Sequence, residues 1–310
     1  MRGTPSGKAI LDDSERDVVI TSAKPGPVSM TRIDGSRAAT ITAKPTGDNT
    51  GAVSASLQSK LKSADAAAGA DGVVLFGSFR GKESRMTRYV LIPGADGRAW
   101  YWHLVVPELR ARGHDVATVD LPQEESAGLA EYTDAVVRAI GAATGGELVL
   151  VAQSLGGFIA PLVCERIPVD GLILVNPMVP APGESAGDWW ANTGQAKARA
   201  AFAVQEGRSP DAAFDMLTDF FHDVPQEVTV EAMTQGEAGP TVAVFTQPWP
   251  LGTWPDVPTR CIQGREDRFF PLDFQRRVVR ERLGIAVEEM PGGHLLALSR
   301  PAELAELICR

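Results

Sequence analysis

The sequence predicts an α/β architecture: a mostly parallel, doubly wound sheet with a helical insertion, preceded by a separate small α+β or partly disordered segment. Three observations predict it. After residue 87, short apolar runs alternate with amphipathic stretches of helical length, the grammar of a parallel sheet covered on both faces. One run, Leu148–Val151, stops abruptly at Ala152-Gln153-Ser154-Leu155-Gly156-Gly157 and gives way to apolar residues at helical spacing, which reads as strand, sharp turn and helix. Residue usage also changes near residues 84–87. Six of the seven lysines precede residue 87, whereas all six Trp and all three Tyr follow it. Basic and acidic residues stand at 12 against 9 before that point and 18 against 30 after it, so the boundary separates residues 1–86 from a domain over 87–310.

At 310 residues the chain has ample apolar content for a large core, and its net charge of -9 excludes nucleic acid as an expected partner. No apolar run approaches the length of a membrane span. The basic residues near the N-terminus are followed by no apolar stretch, which predicts no secretory leader and a cytoplasmic protein. Cys164, Cys261 and Cys309 are far apart and lack metal-ligand spacing, so they read as isolated thiols, with no metal and no cofactor expected. Nothing in composition or motif assigns an oligomeric state.

In chain order, Val28–Ile33 alternates in polarity, Asp34-Gly35 is a turn signal, and Ala38–Ala43 returns, which predicts a hairpin. Thr50 is placed to cap a helix over Gly51–Lys62. The words GPVSMTRIDGSRAATITAKPTGDNTGAVSASLQSKL resemble a piece of the periplasmic porter region of resistance-nodulation-division efflux transporters, over Ala9–Ser63. Such transporters have many membrane spans and this sequence has none, so the resemblance does not imply transport. Residues 64–84 read as a linker with one short strand at Val73–Phe76.

The second part begins with a strand at Arg88–Pro93 and a tight loop at Pro93-Gly94-Ala95-Asp96-Gly97. An amphipathic helix over Leu104–Arg112 stops at Gly113, a strand follows over Asp115–Leu121, and a helix over Ser126–Ala143. The Leu148 strand and its helix over Phe158–Arg166 come next, then a strand over Gly171–Asn176. From 177 to 256 the alternation lapses into a Trp- and Phe-rich insertion with helical patches at Ala196–Gln205 and Pro210–Phe221. Order returns with a strand over Val257–Gln263, a helix over Pro271–Leu283, a strand over Ile285–Met290 and a closing helix over Pro301–Cys309.

The turn after Leu148–Val151 fits a nucleophile elbow. Such a serine sits in strained backbone, and the residues two before and two after must be small for strand and helix to approach; Ala152 and Gly156 meet that need. A serine hydroxyl is a weak nucleophile until a base takes its proton, and the base needs a third group to fix its tautomer. Of four histidines, His114 and His103 read as structural and His222 lies in the insertion. His294 ends a glycine-rich turn, Met290-Pro291-Gly292-Gly293, directly after the last strand, where it can swing back over the sheet. Asp267 stands at the end of the next-to-last strand, with Glu266 and Asp273 as nearby competitors. Ser154, Asp267 and His294 therefore form the expected triad, in the chain order of α/β hydrolases. The oxyanion made by serine attack needs preorganised donors, expected here from the backbone N–H groups of Leu155 and Ala95. Trp102, Trp189, Trp190, Phe221 and His222 are the expected substrate-pocket residues, with a core role as the competing reading for each aromatic.

Leu91-Ile92-Pro93-Gly94-Ala95-Asp96-Gly97-Arg98-Ala99-Trp100-Tyr101-Trp102, followed by PELRARGHDVATVDLP, resembles the α/β-hydrolase branch that contains plant-type methylesterases, hydroxynitrile lyases and many bacterial esterases. The resemblance covers Arg88–Arg310 and implies an α/β-hydrolase fold whose insertion over 177–256 is the cap. It departs from the branch at Pro93, where His is usual, at Ala152-Gln153 for Gly-His, and at Gln123 for Gly. Lyases of this branch carry Lys after the catalytic His and Thr in the oxyanion loop; Leu295 and Ala95 stand there, which favours hydrolysis. A Ser nucleophile in place of Asp counts against dehalogenase and epoxide hydrolase chemistry. The implied activity is hydrolysis of small carboxylic esters, with a non-catalytic ligand-binding protein and a lyase of the same branch as alternatives.

Overall fold

A computed structural model describes residues 86–310, apart from 142–145 and 237–238, together with the backbone of four strands nearer the N-terminus. The chain divides into two units, Met1–Glu83 and Ser84–Arg310. In the first, β1 (Gly7–Ala9) pairs antiparallel with β2 (Val18–Ile20). β3 (Ala23–Ile33) pairs antiparallel with β4 (Ser36–Pro45), with Ile33 opposite Ser36, so the strand pair extends beyond the alternating stretch that predicts it. The helix expected over Gly51–Lys62 and the strand at Val73–Phe76 lie outside the described residues.

The second unit holds a six-stranded, wholly parallel sheet. Its strands are β5 (Arg88–Ile92), β6 (Asp115–Thr118), β7 (Leu148–Gln153), β8 (Gly171–Val175), β9 (Thr259–Gly264) and β10 (Glu288–Met290). They are ordered β6-β5-β7-β8-β9-β10. The chain winds one way from β5 to β6 and the other way from β7 onward, so the winding reverses between β5 and β7. At such a reversal the loops leaving adjacent strand ends part and open a crevice.

The strands are apolar on both faces because both are covered. Val90, Ile92, Leu150, Leu172 and Leu174 point into one cluster, and the alternate residues Leu91, Val151, Ile173 and Val175 point into the other. The first face carries α2 (Leu129–Ile140), α3 (Gly156–Cys164) and α9 (Leu272–Leu283), through Val136, Phe158 and Val278. The second carries α1 (Val105–Ala111) and α11 (Pro301–Ile308), through Leu109 and Leu304. A four-residue helix, α10 (Leu296–Ser299), leads into α11.

The insertion contains five helices among its described residues: α4 (Ala186–Thr193), α5 (Gln195–Gln205), α6 (Met216–Asp219), α7 (Gln226–Thr234) and α8 (Val242–Thr246). The patch expected at Pro210–Phe221 contracts to α6. Asp215 accepts the Thr218 N–H at 2.7 Å and so starts the helix late. The insertion is tied to the sheet domain by Glu184, whose buried carboxylate accepts from Arg282 Nη2 at 2.9 Å, Asn192 Nδ2 at 2.8 Å and the Ala181 N–H at 3.1 Å. Arg282 Nη1 closes a second contact to the same carboxylate. No helix among the described residues is long and apolar enough to cross a membrane.

Candidate active site

The crevice at the reversal is where the elbow lies. Ser154 follows β7 with φ 49°, in the left-handed region that a side-chain-bearing residue adopts only when its surroundings impose it. Its N–H donates to Val175 O at 3.0 Å, and its carbonyl accepts from Gly157 N at 3.0 Å and Met178 N at 2.9 Å. The turn is thus pinned on both sides of the strained residue. The small residues around it are required by distance: a Cβ on Gly156 would stand 3.1 Å from Pro93 O and 3.3 Å from Ala152 Cβ. Ala152 is accommodated because the residue facing it is glycine. A Cβ on Gly94 would stand 2.1 Å from Gln153 Oε1 and 3.1 Å from Ser154 Cβ, so the loop after β5 presses on the elbow only because residue 94 lacks one.

His294 and Asp267 come to the same place from the ends of β10 and β9. His294 Nε2 lies 3.2 Å from Ser154 Oγ, and His294 Nδ1 lies 2.8 Å from Asp267 Oδ2. Exposure falls along this line, from 6% at Ser154 to 2% at His294 and 0% at Asp267. A buried carboxylate is costly unless its lone pairs are filled. Asp267 Oδ1 accepts the N–H groups of Phe269 and Phe270, each at 2.8 Å, and Oδ2 accepts Gln263 Nε2 at 3.3 Å beside the imidazole. The competing carboxylates are engaged elsewhere. Glu266 accepts the Gly292 N–H, and Asp273 is an exposed partner of Arg276 at 2.8 Å. Among the other histidines, His114 sits edge-on to Tyr89 and His103 stacks on Trp100, away from the serine.

The remaining expected residues take different places. Trp102 and Trp189 are fully buried in the two core clusters, and the Trp189 indole donates to Val179 O at 3.0 Å. Trp190 is half-buried and reaches His294 indirectly: it meets Phe269 at 5.3 Å, and Phe269 meets the His294 ring at 5.2 Å. Phe221 packs against the cluster that contains Tyr101 and Leu296. The His222 ring lies against the turn before His294, where a Cβ on Gly293 would stand 2.7 Å from its Nε2.

The immediate surroundings of His294 are aromatic. Phe220, Phe269 and Phe270 enclose the imidazole at centroid distances of 4.9, 5.2 and 4.9 Å. Phe220 comes from the insertion. Its preceding residue, Asp219, is buried and bound by Arg199 Nη2 at 2.8 Å and Arg208 Nη1 at 3.5 Å. Arg268, next to the triad carboxylate, donates to Thr218 O at 2.9 Å. Asp223 accepts the Gly293 N–H at 2.7 Å. Two signals for this contact surface existed in the sequence: the doublet Phe269-Phe270 immediately after Asp267, and Phe220-Phe221-His222-Asp223 in the insertion.

The thiols offer no rival nucleophile. Burial pushes the Cys164 thiol up to about 12 and also raises those of Cys261 and Cys309, so all three stay protonated near neutrality.

Comparison with known proteins shows the family to which this fold belongs. Residues 89–307 match the Alpha/beta hydrolase family. The chain is similar to the probable esterase PIR7A of Oryza sativa subsp. indica, 26% identical over 266 residues that cover 72% of this chain and 95% of the relative. It is also similar to a pyrethroid hydrolase of Sphingobium wenxiniae, 29% identical over 245 residues covering 72% and 86%. Among solved structures, the novel pyrethroid hydrolase from Sphingobium faniae JZ-2 superposes with a TM-score of 0.52 at 26% identity, covering 72% of this chain and 95% of that one. Polyneuridine aldehyde esterase shares the fold, with a TM-score of 0.59 at 20% identity over 72% and 98% of the two chains.

Proposed function

The chain belongs to the alpha/beta hydrolase family, and we propose that it cleaves small carboxylic esters through Ser154, His294 and Asp267. The observation that carries this reading is the continuous line from Asp267 to His294 at 2.8 Å and from His294 to Ser154 at 3.2 Å, ending on a serine held at φ 49°. The esterase and hydrolase names of relatives at 26% and 29% identity support the same chemistry.

In this reading His294 Nε2 takes the Ser154 proton as Oγ attacks the ester carbonyl carbon. Asp267 holds the Nδ1–H tautomer and stabilises the imidazolium. The negative oxygen of the tetrahedral adduct is received by the Leu155 and Ala95 N–H groups, which removes charge build-up that water would otherwise have to solvate. The imidazolium returns its proton to the departing alcohol. Water then gives a proton to the same nitrogen and attacks the acyl carbon, and collapse of the second adduct frees the acid and restores the serine.

Residues 177–256 act as the cap in this scheme, and the partner is a small-molecule ester that reaches the triad beneath Phe220 and beside Trp190. The three unpaired thiols fit a reducing, cytoplasmic setting. The aromatic cover over His294 is the one feature that favours a ligand-binding protein without turnover. Hydrolysis of a short-chain nitrophenyl ester separates the two: the parent protein should turn it over and Ser154→Ala should not. Equal rates in both would remove Ser154 from the reaction.

A further inference from the structure

Asn176 terminates β8 at φ 44°, and it is fully buried. Apart from Ser154, it is the one non-glycine residue of positive φ among those described. Asparagine tolerates this conformation better than most residues, but adopting it still has a price of about 1 kcal/mol. The surroundings show what holds it there. Its side-chain Oδ1 accepts the Gly264 N–H at 2.8 Å, where β9 ends and the Asp267 turn begins. Its Nδ2 donates to Gly293 O at 3.0 Å and to His294 O at 2.9 Å. The orientation of the amide follows from its partners: a peptide N–H needs the oxygen, and two carbonyls need the amino group.

The residues beside it bind the nucleophile's backbone. Val175 O accepts from Ser154 N at 3.0 Å, and Met178 N donates to Ser154 O at 2.9 Å. Residues 175–178 thus touch all three turns that carry Ser154, Asp267 and His294. The Asn176 side chain spans the latter two, which Glu266 also joins: its carboxylate accepts the Gly292 N–H and its own N–H donates to Gly292 O at 3.1 Å. His294 O has a second, longer donor in Gln153 Nε2 at 3.4 Å, and this bond comes from the elbow strand instead of from the acid turn.

We propose that Asn176 is a positioning residue for the triad: its amide ties the Gly293–His294 peptides to the end of β9 and so sets the imidazole between Asp267 and Ser154. The inference rests on the hydrolytic reading of those three residues. Asn176 touches neither substrate nor the reacting atoms. Removing the amide leaves the Gly264 N–H and the Gly293 carbonyl buried without a partner and loosens the His294 turn, which keeps its bonds to Asp223 and Glu266.

The test compares the parent with Asn176→Gly and Asn176→Asp, all as full-length chains. Glycine adopts φ 44° without strain, whereas aspartate keeps the side-chain volume and the acceptor for Gly264 but loses both donors. Active sites are counted with a fluorophosphonate, and kcat and KM for a short ester are then measured per labelled site. Both variants should show kcat lower by about tenfold to a hundredfold, the scale of an ångström-sized misplacement, with KM near the parent value. Parental kcat per site in both variants would overturn the inference, including the case where only the number of labelled sites falls. If the glycine variant folds poorly, the aspartate variant carries the same comparison. An unlabelled parent would overturn the triad reading and this one with it; a labelled parent with unaffected variants overturns this one alone.

Discussion

Phe220 lies face to face with the imidazole of His294, ring centroids 4.9 Å apart and planes 14° from parallel. Ser154 is only 6% and His294 only 2% exposed beneath this part of the insertion. The segment that carries it is held by Asp219 to Arg199 and Arg208, and by Arg268 to Thr218 O. The cover is therefore a fastened element of the insertion.

Truncating the ring should shift the balance toward the open site. A stacked aromatic contact is worth about 1 kcal/mol, or about fivefold in population. In Phe220→Ala, kcat/KM for a bulky ester should rise by about that factor relative to the same ratio for a short ester. Paired kinetics with two acyl lengths checks this. An unchanged preference between them would show that the ring does not limit access.

The pair Glu184–Arg282 makes the insertion's attachment sensitive to acid. Burial alone would raise the Glu184 carboxyl, but hydrogen bonds from Arg282, Asn192 and the Ala181 N–H, with the guanidinium charge, outweigh it and hold the group below the usual range. A lowered folded value means stability that is complete above the unfolded glutamate range, about 4.3, and is lost as pH falls through the folded value. Glu184→Gln should therefore lose about 3 kcal/mol near neutrality, because Arg282 is left without its anion. The difference from the parent should shrink in acid. Urea midpoints at pH values on either side of that range decide it, and a gap that does not change with pH would contradict the assignment.

Much of the sheet was legible because its strands are short apolar runs closed by Gly, Pro or Asn. Arg88–Ile92, Leu148–Gln153 and Gly171–Val175 lie within two residues of where those runs place them. The grouping of Ser154, Asp267 and His294 was legible for the same reason, since each stands in a turn directly after a strand end. The insertion was less so. Helix α7 buries no residue, so its sequence carries no apolar period to read. Helix α4 is short, yet its start had a signal in Ser185-Ala-Gly-Asp188, where Ser185 Oγ accepts the Asp188 N–H at 3.0 Å. Trp102 and Trp189, aromatic residues whose sequence context fits either a pocket or a core, are fully buried in the two core clusters. Asn176 reads in the sequence as the polar end of an apolar strand. Its role lies in long-range bonds to residues 264, 293 and 294, which no local pattern encodes.

The N-terminal unit is separate from the unit that contains the whole sheet and all three triad residues. A chain lacking residues 1–86 should keep the melting temperature of the hydrolase domain and its kcat/KM. Calorimetry and ester kinetics on the shortened chain check this. A marked loss of either would make the segment a working part of the enzyme.

Covalent labelling with a fluorophosphonate, followed by intact mass and peptide mapping, tests the central claim most directly, because only a hydroxyl activated by an assembled triad attacks such a probe readily. One label per chain at Ser154, absent from Ser154→Ala, is the predicted result. A well-folded parent that takes up no label, or takes it up at another residue, would contradict the account.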